Sequence, residues 1–166
     1  MASTRRSVVK KIAVFVDVQN IYYTVRQIHG CHFHYANFLK EIMQRGSLAQ
    51  ATAYAIERGD ARQKQFQQIL RNLGFNVKLK PYIQRSDGSA KGDWDVGITI
   101  DVLDAAPQVD EIILASGDGD FDLLLAKVRS VYGTHTRVYG APGLTAHALI
   151  RAADDYVPIE ETLLLR

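Results

Sequence analysis

Apolar positions along the chain change period several times, and each change marks an element. Residues 12–16 (IAVFV) form an unbroken apolar run of strand length, the pattern of a strand covered on both faces. Ile21, Val25 and Ile28 then recur at near-helical spacing until Gly30. Phe38, Leu39, Ile42 and Met43 give a second amphipathic set, stopped at Gly46. Residues 51–56 read as a second strand. Phe66, Ile69, Leu70 and Leu73 fall at i, i+3, i+4, i+7, and Gly74 stands where a helix C-cap belongs. Residues 75–79 alternate strictly, which predicts a half-exposed edge strand closed by Pro81.

The second half repeats the alternation. Residues 82–92 read as a polar, glycine-containing loop, and a helix is predicted over 93–105 before Pro107. Residues 112–115 are again wholly apolar and strand-length. Phe121, Leu124, Leu125 and Val128 form the next helix face, residues 136–139 a further strand, and residues 145–153 a last helix. Strands alternating with helices predict an α/β fold: a doubly wound, mainly parallel sheet with helices on both faces, Rossmann-like in plan. The two most apolar strands, the first and fourth, are expected as central neighbours, with the topological switch point between them. Residues 1–10 read as a flexible basic tail, residues 11–159 as one domain and residues 160–166 as a C-terminal tail.

Composition narrows the class. A chain of 166 residues, 47% apolar, can bury a core without disulfides or structural metals. The single cysteine, Cys31, suits a reducing compartment. No apolar run approaches the roughly 18 residues of a membrane span, and the start lacks a signal-peptide core, so a cytoplasmic protein with no membrane partner is expected. The net charge of +2 conceals a sharp division. Residues 58–91 carry eight Lys or Arg against Asp60 and Asp87, whereas residues 92–126 carry nine acids and no Lys or Arg. A basic stretch beside a carboxylate-dense one suits a metal-dependent enzyme acting on an anion, or two solvated faces of opposite sign.

The acids stand at informative places. Asp17-Val18-Gln19-Asn20 follows the first strand and Ser116-Gly117-Asp118-Gly119-Asp120 the fourth, so Asp17, Asp118 and Asp120 converge on the switch-point crevice. Asp95, in the first turn of the helix feeding the fourth strand, reaches the same rim. Carboxylates packed this closely stay ionised only when a cation compensates them. Oxygen ligands without His or Cys favour Mg2+ or Mn2+. The chemistry that follows is metal-assisted phosphodiester hydrolysis. Asn20, Ser116 and Asp122 are supporting candidates. The competing structural readings are an N-cap for Asp93, a first-turn acid complementing a helix dipole for Asp95 and Asp122, and a cap of the helix carrying Phe121 for Asp120. Asp101 and Asp104 are expected on a solvated helix side.

Three ordered segments, IAVFVDVQNIY (12–22), KGDWDVGITIDVL (91–103) and SGDGDF (116–121), resemble the successive motifs of the NYN domain, the LabA-like branch of the PIN-like nuclease superfamily. The closing segment around Gly140, Leu149, Ala153, Asp154 and Tyr156 is also similar. The resemblance implies a PIN-like fold, a metal-dependent ribonuclease and an acidic quartet at Asp17, Asp95, Asp118 and Asp120, acting as catalytic and metal-binding residues. Gly119 stands where the family often has Ser, a change a tight loop should tolerate. Asp122 adds a carboxylate at a usually variable position.

An RNA substrate needs cations near the acids, and Arg58, Arg62, Lys78, Lys80, Arg85 and Lys91 supply them. Lys78 reads first as edge protection. Tyr22, Tyr23 and Trp94 either stack bases or pack at the rim. His29, Cys31, His32 and His34 crowd too closely to wrap one tetrahedral ion. Two other functions compete: a non-catalytic RNA- or protein-binding regulatory domain, and a haloacid-dehalogenase-type phosphatase with Asp17 as nucleophile. Gln19 stands where that phosphatase needs its general acid. The edge strand at 75–79 permits a homodimer.

Overall fold

β1 (Lys11–Asp17) runs through the middle of the sheet because both of its faces are apolar. Ile12, Val14 and Val16 point into one hydrophobic layer, Ala13 and Phe15 into the other, and all five are fully buried. The structure is a computed structural model that describes residues 9–81, 83, 84, 90, 91 and 93–166, with 83, 84, 90 and 91 described through their backbone. After β1 come α1 (Val18–His29), β2 (His32–Phe33), α2 (Tyr35–Met43), β3 (Ser47–Glu57), α3 (Ala61–Leu73) and β4 (Asn76–Pro81). Short strands β5 (Ile83–Gln84) and β6 (Ala90–Lys91) precede α4 (Asp95–Ala105) and β7 (Glu111–Ala115). The chain ends with α5 (Asp122–Lys127), β8 (His135–Gly140), α6 (His147–Ala152), β9 (Asp155–Pro158) and β10 (Leu164–Leu165).

The main sheet has six strands in the order β4-β3-β1-β7-β8-β9, and every neighbouring pair is parallel. Chain order runs outward from β1 to β4, then returns to the other side of β1 at β7. The switch point therefore lies between β1 and β7, as expected. Core residues of α1, α2 and α3 (Ile21, Phe38, Leu70) cover one face, and those of α4, α5 and α6 (Ile98, Leu125, Leu149) the other. Truncating a fully buried side chain such as Ile113 to Ala would cost about 2–5 kcal/mol.

Several expectations are corrected. The segment read as a loop at 82–92 contains the antiparallel β5–β6 pair. The last helix is followed by a sixth sheet strand, β9, which the pattern did not reveal. Residues 160–166 are not a loose tail: Leu163 and Leu164 are buried, and β10 pairs with β2. Lys10, assigned to the flexible tail, donates to the fully buried Glu111 at 2.7 Å. Ile28, Met43 and Ile69 lie on helices as expected but are 42%, 60% and 50% exposed. Gly46 does not end α2, whose C-cap is Gln44. It admits a close crossing, since a Cβ there would lie 2.4 Å from the Lys10 carbonyl oxygen. No helix among the described residues is long and apolar enough to cross a membrane.

Candidate metal centre at the carboxyl ends of β1 and β7

β1 ends on Asp17, which caps α1 by accepting from the Asn20 amide at 3.4 Å. β7 ends one residue before Ser116, which is wholly buried. The Ser116 hydroxyl donates to Asp17 Oδ2 at 3.2 Å and accepts from the Asp118 amide at 3.1 Å. Asp118 in turn caps a short 3-10 turn, accepting from the Asp120 amide at 2.9 Å. Asn20 reaches across with Oδ1 to accept from the Gly117 amide at 2.8 Å. These bonds fix the Ser116–Asp120 loop against α1. Gly117 has no room for a side chain, because a Cβ would lie 2.5 Å from the Leu144 carbonyl oxygen. Gly119 is tighter than the sequence suggested: a Cβ would meet that of Ala146 at 2.9 Å, so a serine there requires a shift.

Asp95 opens α4, and its carboxylate meets those of Asp118 and Asp120. One oxygen from each of the three lies within 4.8 Å of the others. Asp17 stands one step behind, behind the Ser116 hydroxyl. Burial, with neighbouring carboxylates, raises the pKa of Asp17 and of Asp95. Burial lifts Asp17 to about 6 against the opposing Asn20 and Ser116 hydrogen bonds, with the Asp118 and Asp93 charges adding to the rise. Asp95 rises to about 7, first through burial and then through the charge and shared hydrogen bond of Asp118, with Asp93 and Asp17 contributing. A site that resists holding all its negative charge is suited to a cation. The all-oxygen donor set fits Mg2+ or Mn2+ and lacks the soft ligands zinc prefers.

Other candidates fall elsewhere. Asp122 binds the Leu123 amide at 2.6 Å and is outside the cluster. Asp93, expected as the N-cap of α4, accepts from the Asp95 amide at 3.2 Å, while Trp94 holds the cap position. Asp118, not Asp120, caps the turn that carries Phe121. Asp101 is not on a solvated face: Oδ2 accepts from Lys78 Nζ at 2.6 Å and from the Tyr54 hydroxyl at 2.7 Å. Lys78 is thereby committed to an ion pair. Lys80 donates to the Asp93 carbonyl at 3.1 Å and lies 4.5 Å from the Trp94 ring centre. Arg58 and Arg62 are exposed just beyond β3, Arg85 lies outside the described residues, and Lys91 is placed in β6 through its backbone.

Trp94 is rim packing: its indole N–H donates to the Ala55 carbonyl at 2.9 Å, and its ring leans on Tyr54. Tyr22 and Tyr23 are exposed. The histidines near Cys31 have other tasks. His29 meets the Ile159 carbonyl at 2.9 Å, and His34 caps α2 through the Asn37 amide. The sequence reading missed Tyr35, a buried residue whose hydroxyl is driven up by burial and by the nearby Asp17 charge. It comes from α2, and no spacing in the chain links it to β1.

The NYN domain profile matches residues 11–160. The chain is 30% identical over 159 residues to low amplitude and bright protein LabA of Synechococcus elongatus, a match covering 91% of this chain and 84% of that protein. Its structure superposes on the crystal structure of a protein of unknown function from Vibrio parahaemolyticus with a TM-score of 0.91. The two are 50% identical, and the match covers 99% of this chain and 100% of that one.

Proposed function

The chain belongs to the NYN domain family, with a LabA-like, PIN-like nuclease fold, and from that premise we propose that it is a metal-dependent nuclease that hydrolyses RNA phosphodiesters. The observation that carries the proposal is the approach of Asp95, Asp118 and Asp120 to within 4.8 Å at the switch point. These three carboxylates would hold Mg2+ or Mn2+, which when bound acidifies a water and offsets charge on the phosphoryl oxygens. The Ser116–Asp120 loop presents Asp118 and Asp120, and the first turn of α4 presents Asp95. Asn20 acts as a positioning residue by clamping the Gly117 amide. Asp17, raised to about 6, can take up a proton near neutral pH beside the reacting groups. Arg58 and Arg62, exposed beyond the carboxyl end of β3, are the described cations best placed to meet the phosphate chain.

The test is incubation of purified protein with mixed RNAs, in Mg2+ or Mn2+ against EDTA, beside Asp118→Asn. Cleavage that needs metal and is lost in the variant supports the proposal. RNA binding without cleavage, where metal demonstrably binds, overturns it in favour of a regulatory binding domain. Phosphate release from a small monoester favours the phosphatase instead.

A further inference from the structure

Resting on the nuclease reading, we infer that an aromatic ledge of Tyr22, Tyr23 and His32, flanked by Arg26, holds unpaired nucleobases of a single-stranded substrate beside the acidic crevice. Tyr22 and Tyr23 are consecutive on α1 and remain 40% and 50% exposed, although α1 has an apolar face that buries Val18, Ile21 and Val25. Their rings are not loose. Tyr23 meets Tyr22 edge-on at 5.3 Å and 81°, and His32 lies nearly parallel to Tyr22 at 5.7 Å and 20°. Arg26 Nη1 donates to the Tyr22 hydroxyl at 3.0 Å, one turn along the helix. Ring orientation is therefore set before any ligand arrives, which lowers the ordering cost of stacking.

Position and charge select the occupant. Asp17 caps the helix that carries the ledge, so Tyr22 and Tyr23 stand about 7.5–9 Å along its axis from Asp17. Residues 18–34 contain no Asp or Glu. The opposite flank is the reverse: residues 92–126 contain no Lys or Arg, and α4 and α5 present Val96 and Leu123 at 70% and 78% exposure beside Asp104 and Asp122. Away from the metal site itself, a polyanion meets less negative charge along α1 than along that flank. Trp94 does not share the task, since it is half-buried, with its N–H bonded to Ala55 and its ring packed against Tyr54. Stacking needs free base faces, so the ledge fits a single strand of RNA or DNA and not a duplex.

The test uses the full chain carrying Asp118→Asn, in Mg2+, with labelled oligouridine, oligothymidine and a blunt RNA duplex read by fluorescence anisotropy. Joint Tyr22→Ala and Tyr23→Ala should weaken single-strand binding by about tenfold or more and leave duplex binding unchanged. Joint replacement of both tyrosines by Phe should restore single-strand affinity. Equal losses on RNA and DNA assign the effect to the bases, and a larger loss on RNA adds a ribose contact. Unchanged single-strand affinity overturns the inference and leaves the ledge as a protein-contact surface. Equal weakening of single strand and duplex overturns it as well. Wild-type protein read alongside keeps the two ideas apart: metal-dependent cleavage with no ring-dependent affinity sinks the ledge alone, and ring-dependent affinity without cleavage sinks the nuclease alone.

Discussion

The Ser116 hydroxyl joins Asp17 Oδ2 across 3.2 Å, tying the carboxyl end of β7 to that of β1. It lowers the Asp17 pKa against the rise imposed by burial. Ser116→Ala leaves that rise less opposed, so Asp17 will titrate at higher pH than in the wild type. The lost bond costs about 1 kcal/mol of stability, while the pH midpoint of any Asp17-linked signal moves upward. Carboxyl chemical shifts followed through a pH titration check the direction, and an unmoved midpoint refutes the coupling.

Asp17 at about 6 and Asp95 at about 7 both titrate above the ordinary carboxyl value of 3.8. Between those limits the folded chain binds more protons than the unfolded chain. In EDTA, the stability these groups contribute is therefore full below the unfolded value and lost as pH rises through about 6 and 7. For the half-buried Asp17, a rise of about two units corresponds to at most about 3 kcal/mol, and the more solvated Asp95 adds less. Mn2+ at about a hundred times its dissociation constant should restore about 3 kcal/mol near neutral pH and flatten the slope. Denaturation curves in EDTA and in Mn2+ across this range measure both effects, and a joint Asp17→Asn, Asp95→Asn variant with the same pH slope in EDTA as the wild type would falsify the assignment.

β1 and β7 were legible because a strand covered on both faces writes an uninterrupted apolar run, and a central strand's last residue fixes where Asp17 and Ser116–Asp120 emerge. β9 was not. It is a four-residue edge strand, DYVP, with every position half-buried, so it leaves no alternation to read. Periodicity also placed Ile28, Met43 and Ile69 on helices without giving their depth, because spacing reports which residues share a helix face and not whether a neighbour covers it. The same limit hid Tyr35 and the Lys78–Asp101–Tyr54 group. Each depends on elements packed together from distant parts of the chain.

At the amino-terminal ends of the strands, Glu111 is fully buried and faces Lys10 at 2.7 Å and Arg45 at 2.9 Å, with His135 at 3.5 Å and Arg137 at 3.9 Å. Arg45 Nε and Arg137 Nε already lack hydrogen-bond partners. Glu111→Ala would strand these cations around an uncharged hole and cost about 3–5 kcal/mol in urea denaturation. The site acids begin beyond the far end of β7, about 16 Å along the strand, so Mn2+ affinity should be unchanged at temperatures where the variant is folded. A large affinity loss would show that the two ends of the sheet are coupled.

Gly97 sits two residues after Asp95 with its Cα against the Trp94 ring, and a Cβ there would lie 2.6 Å from Cε3 and 3.0 Å from Cζ3. That ring cannot retreat freely, because its N–H is held by the Ala55 carbonyl and it packs against Tyr54, Lys80 and the buried layer that includes Ile98. Gly97→Ala must therefore displace either the ring or the first turn of α4. Overpacking of this kind costs about 1–3 kcal/mol. Because Asp95 opens that turn and contributes one of the three clustered carboxylates, the displacement should also weaken Mn2+ binding, by about tenfold. Val96→Ala, on the same turn but 70% exposed, removes side chain without touching the ring and should leave both stability and affinity near wild type. Calorimetric Mn2+ titration of the two variants separates the cases. If Gly97→Ala binds Mn2+ as tightly as Val96→Ala, the first turn of α4 does not position Asp95 for the metal.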